Sequence, residues 1–101
     1  MRLKRGVKLR GLSPQCVLAM FVTGELYMEN GHRLTFTSCS DGKHSRGSLH
    51  YSGNAFDCRI RDLPDGAGQI IRDELSRRLG AEFDVVLESN HIHVEYQPKT
   101  A

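Results

Sequence analysis

The chain has no tryptophan and only three prolines among its 101 residues. Its best apolar run, Val17 to Val22, is far short of the roughly 18 to 20 residues a membrane span needs. Three cysteines, Cys16, Cys39 and Cys58, form an odd set with no CxxC pair, so neither a disulfide framework nor a cysteine zinc finger is supported. Synthesis in a reducing cytoplasm fits that usage best. A charge of one sign is also missing: the formal net charge of +2 is too small to imply nucleic acid. No repeat, low-complexity tract or linker divides the sequence, which therefore reads as one domain over residues 1–101.

The basic residues that are present gather early. Arg2, Lys4, Arg5, Lys8 and Arg10 make an N-terminal arm over about residues 1–11. Its charge is that of a signal peptide's first part, but no adequate apolar segment or cleavage site comes after it, so Sec-type export is not expected. The arm reads as solvated, with phosphates or an anionic wall polymer as the contacts it could make.

Ser13-Pro14 is an N-cap and first-turn signal, and Val17, Phe21, Gly24 and Met28 recur at helical spacing until Asn30-Gly31. A helix is expected over about 14–29, with that stripe inward. Leu34, Phe36 and Ser38 alternate with Arg33, Thr35 and Thr37, as in a strand with one buried face, and the parity puts Cys39 on the polar side. Phe56, Cys58 and Ile60 oppose Ala55, Asp57 and Arg59 in a second strand, which makes Cys58 a core residue. A second helix is expected over about 65–79, opened by Pro64-Asp65-Gly66, with Ile71, Leu75 and Leu79 on one stripe and Gly80 as its stop. Strands at about 82–88 and 91–96 complete an α+β fold: an antiparallel sheet with two main helices on one face.

The metal-capable groups concentrate in His50, Asp57, Glu88, His91 and His93. With Ser89-Asn90 as a two-residue turn, Glu88 and His91 stand opposite each other on one face, and period two adds His93. The other face takes Phe83, Val85, Leu87, Ile92, Val94 and Tyr96, and belongs against the helices. That register also sets Asp84 against Glu95. His50 and Asp57 are an odd interval apart, and Gly53 supplies the bend that lets both point one way. Two imidazoles and a carboxylate satisfy catalytic zinc and leave its fourth position open.

The segment Ser48-Leu49-His50-Tyr51-Ser52-Gly53-Asn54-Ala55-Phe56-Asp57 resembles the SxHxxGxAxD motif of the D-Ala-D-Ala metallopeptidases, and Glu88-Ser89-Asn90-His91-Ile92-His93 resembles their closing Glu and HxH segment. Both also resemble the zinc site of the hedgehog signalling domain, which shares that fold. The likeness extends from about Thr37 to Tyr96. It implies zinc held by His50, Asp57 and His93, with Glu88 as general base and His91 beside the metal as an oxyanion-stabilising group. A competing alignment through Glu88-x-x-His91 makes His91 the ligand. The implied substrate is the peptidoglycan stem peptide, cut by a monomer made in the cytoplasm, as in phage-encoded peptidases of this group, and acting on the cell wall.

The likeness has gaps. Carboxypeptidase members carry an arginine shortly before the zinc histidine, where this chain reads Thr37-Ser38-Cys39-Ser40-Asp41; Lys43 or Arg46 are the available substitutes. Cleavage of an internal bond stands beside cleavage at a free C-terminus. Ser48 reads as a support for His50, and His44 and His32 as solvated residues. The rival reading is a non-catalytic, hedgehog-like zinc domain.

Overall fold

The computed structural model describes residues 1–40 and 53–98. The first helix, α1, spans Pro14–Glu29, with the Cys16 N–H donating to Ser13 Oγ at 3.2 Å. It stops where Asn30 caps its last carbonyls and Gly31 takes a φ of +79°. Both ends are as the local signals predict.

The inward face of α1 is not the one expected. Cys16, Ala19, Met20, Thr23, Leu26 and Tyr27 are buried, whereas Phe21 and Met28 are 59% and 72% exposed, and of the expected stripe only Gly24 is covered. The helix is apolar on nearly every side before Glu25, so periodicity alone does not select a face. What selects it is fit: small Ala19 and Thr23 admit close approach, and the Tyr27 hydroxyl reaches across to donate to the Arg59 carbonyl at 3.0 Å.

The strands are β1 (Arg2–Leu3), β2 (Thr35–Ser38), β3 (Ala55–Arg59), β4 (Phe83–Leu87) and β5 (His91–Tyr96), in spatial order β1-β2-β3-β5-β4. The β2–β3, β3–β5 and β4–β5 pairs are antiparallel, as predicted. The β1–β2 pair is parallel, so the sheet is mixed. The basic arm is therefore not wholly free: Arg2 N–H donates to Leu34 O and Lys4 N–H to Phe36 O, both at 2.8 Å. The edge of β2 offers unpaired carbonyls, and the arm satisfies them.

The second helix, α2, covers Ala67–Leu79, beginning after Gly66 at φ +84°, about two residues later than predicted. Ile71 and Leu75 are buried, and Gly80 ends it. Arg78 ties the helices together through Glu29 at 2.6 Å and Glu74 at 3.0 Å. Both helices pack on the face of the sheet that carries Phe36, Phe56, Cys58, Ile92 and Val94.

All three cysteines are buried, and none is in a disulfide. Cys58 is in the core as predicted, and burial pushes the Cys16 thiol up to about 11. Cys39 contradicts the parity argument. The β2–β3 register shifts between Phe36 and Ser38, so Ser38 rather than Thr37 stands opposite Asp57, and Cys39 turns into the core. Cys39 is thus no neighbour of the polar face.

Candidate metal centre

The polar face is built by β3 and β5. Glu88 N–H donates to His91 O at 2.8 Å across Ser89-Asn90, which is the predicted two-residue closure. Val85, Ile92 and Val94 are buried on the opposite face, so His91 and His93 point away from the helices. Asp57 lies directly opposite His93, and Arg59 opposite His91. Asp84 does oppose Glu95.

Three side chains converge. His93 Nδ1 is 2.8 Å from Asp57 Oδ1, and His91 Nε2 is 3.7 Å from the same oxygen. One ligand atom from each of the three lies within 4.8 Å of the others. His93 Nε2 meets Glu95 Oε1 at 2.8 Å, and His91 Nδ1 meets Asn90 Oδ1 at 2.6 Å. Gln97 in turn donates to the Glu95 carboxylate. Val86 stands opposite His93 on β4 and gives the cluster an exposed apolar neighbour.

With a carboxylate at each ring nitrogen, His93 is favoured as an imidazolium that donates twice. Its pKa is raised above the ordinary 6.5, first by the hydrogen bond to Asp57, then against the opposing effect of burial by Glu95. The stabilisation this gives the metal-free protein is fully present below about pH 6.5 and is lost as pH rises through the raised folded-state value. A metal at His93 must displace that proton, so metal affinity rises over the same window. Opposite pH trends are expected: melting temperature of the chelator-treated protein falls as pH rises past neutrality, while the additional stabilisation by zinc grows. Thermal melts of both forms across the range check this, and parallel curves would remove His93 from the metal.

No protein-family model matches the chain, and no curated protein matches it.

The donor set fits a borderline metal ion. Zinc takes imidazole nitrogen and carboxylate oxygen at about 2.0–2.2 Å, which puts neighbouring donors roughly 3–3.5 Å apart. The Asp57–His93 pair needs to part by less than about 1 Å to admit an ion in place of the proton. Of the residues expected from the sequence, Asp57, His91 and His93 come together. Glu88 is exposed at the hairpin end, and its carboxylate is not part of the three-residue cluster. His50 lies outside the described residues, as do Lys43, His44, Arg46 and Ser48. His32, half-buried, lines a separate polar cavity with Arg33 and Arg59.

Glu95 is the residue that sequence reasoning missed. Period two from His91 and His93 places it on the same face, and that signal could have found it. Its contact with the second ring nitrogen is how carboxylates orient metal-bound histidines. Glu95→Ala is expected to weaken metal affinity by about 10-fold to 100-fold without removing it, because such partners contribute that much at other sites. Competition with a fluorescent zinc chelator measures it; unchanged affinity would leave Glu95 a bystander.

Proposed function

We propose that this protein is a zinc-dependent peptidase of bacterial peptidoglycan, with His50, Asp57 and His93 as the protein ligands. The observation that carries the reading is the pairing of Asp57 with His93 across β3 and β5, with His91 beside them on the face turned from the helices. His50, outside the described residues, is the ligand that the SxHxxGxAxD-like segment implies. When bound, zinc would supply a Lewis acid for the scissile carbonyl and make an attacking water more acidic. Asp57 and His93 hold their places because the strand ladder sets them face to face. Glu95 keeps the His93 ring oriented through Nε2. Glu88, a carboxylate acceptor at the hairpin end opposite His91, takes the proton of the attacking water and passes it to the leaving amine. His91, whose Nδ1 donates to Asn90 Oδ1, presents Nε2 toward the cluster, where its doubly protonated form can donate to the developing oxyanion.

One observation favours a second reading, the non-catalytic zinc domain: Glu88 is exposed and stands apart from the cluster. The deciding experiment has two parts. Metal analysis should find one zinc per chain, lost in His93→Ala and retained in His91→Ala. Mass spectrometry of peptidoglycan digested with and without zinc should then show new peptide ends, whose position distinguishes cleavage at a free C-terminus from cleavage of an internal bond. Bound zinc with no zinc-dependent product from any preparation would leave the non-catalytic domain standing. No bound zinc would end both readings.

A further inference from the structure

The small net charge conceals a division along the chain. Residues 1–24 hold five cations, Arg2, Lys4, Arg5, Lys8 and Arg10, and no acid, while residues 25–101 hold nine cations against twelve acids. The cationic end is also where apolar surface is exposed. Seven of the nine exposed large hydrophobic side chains among the described residues fall within residues 1–28, with Leu18, Phe21 and Met28 at 67%, 59% and 72%. An apolar cleft of about 360 Å³ lies along Leu3, Leu9, Leu12, Val17 and Phe21, and Met1 and Phe21 continue that surface to Met28. Arg2 lines the cleft, and all five cations, interspersed with its lining residues Leu3 and Leu9 along the arm, are on exposed residues.

We propose that this face, the outer side of α1 together with the N-terminal arm, docks on an anionic lipid bilayer. Protruding Leu, Phe and Met side chains beside several Lys and Arg are the combination by which a surface segment lies in the lipid interface. A second copy of the chain is a poor occupant, because a two-fold contact through this patch sets the five cations against themselves. An acidic peptide would need its carboxylates matched to fixed cations. These cations instead lie at irregular spacing along an arm that is mostly without regular structure, which suits diffuse headgroup charge. The docked orientation has a consequence for the metal cluster. Asp57, His91 and His93 lie on the sheet face opposite the helices, so α1 against lipid leaves them toward water.

Vesicle co-sedimentation tests the docking and does not depend on peptidase activity. The full chain is mixed with vesicles of phosphatidylglycerol and phosphatidylcholine, and separately with phosphatidylcholine alone, at low and high salt. Binding to the anionic vesicles only, weakened by salt, is expected. Leu18→Ser/Phe21→Ser and Lys4→Gln/Arg5→Gln/Arg10→Gln should each weaken it by about tenfold or more, with circular dichroism and melting temperature showing that the fold persists. Equal binding to both vesicle types, or to neither, overturns the proposal. So does a dimer in light scattering, or capture by an acidic amphipathic peptide, that Leu18→Ser/Phe21→Ser abolishes in a protein that ignores vesicles.

Discussion

With the proposed peptidase function, Glu88→Gln is expected to slow cleavage of peptidoglycan stem peptide by about 100-fold to 10,000-fold, the usual contribution of a general acid–base group, while zinc content and melting temperature stay at their wild-type values. Glutamine keeps the size of the side chain and one acceptor oxygen, and removes its charge and its capacity to take a proton. The retained fold is a matter of position: Glu88 is exposed, and what it contributes to the β4–β5 closure is its backbone N–H to His91 O, which the substitution leaves in place. Metal is retained because Glu88 is not among the proposed ligands, His50, Asp57 and His93, and its carboxylate is not part of the cluster of Asp57, His91 and His93. Turnover, zinc content and thermal melts on the same preparations measure all three. Wild-type turnover in Glu88→Gln would move the base role to another group, with His91 the nearest candidate on that face.

The largest stability effect is expected at Phe56. Its ring is fully buried and meets Phe36 edge to face, with centroids 5.5 Å apart, and the adjoining residue Asp57 projects from the other side of β3. Phe56→Ala should cost about 3–5 kcal/mol, the range for removing a buried aromatic side chain. Against a total stability of about 5–15 kcal/mol for a domain, that is enough to lower the urea midpoint severely or to unfold the protein. Phe21→Ala, by contrast, should change stability by no more than about 0.5 kcal/mol, because Phe21 stands on the exposed side of α1. Urea titrations of the pair separate the two. A large loss at Phe21 would mean that the stripe read from sequence, and not the observed packing, describes the helix.

These two phenylalanines show where sequence reasoning reached and where it stopped. Phe56 was legible because strict alternation in β3 sorts residues onto two faces, and the same alternation sent Asp57 outward. Phe21 was not, because α1 is apolar around its circumference and 3.6-residue spacing marks several equivalent stripes. Cys39 failed for a different reason: period two holds only while the ladder is regular, and one register shift in β2 reversed the parity of the residues beyond it. The candidate site was legible to the same degree as its strands. Asp57, His91 and His93 come from the hairpin register and from β3, whereas the part of Glu95 emerged only when its carboxylate was seen against His93 Nε2.

By itself, then, the sequence determined what is local: the ends of α1 through Ser13-Pro14 and Gly31, the stop of α2 at Gly80, the β4–β5 closure, and the sharing of one face by His91 and His93. Those features depend on φ preferences, capping and side-chain periods, which act over a few residues. The tertiary structure decided the rest: which side of α1 is buried, that Arg2–Leu3 joins the sheet edge in parallel, and that Asp57 meets His93 across 36 positions of chain. Each of these is a choice among partners far apart in sequence, made by the fit of packed side chains and by backbone groups that must find hydrogen bonds, and no short-range pattern encodes it.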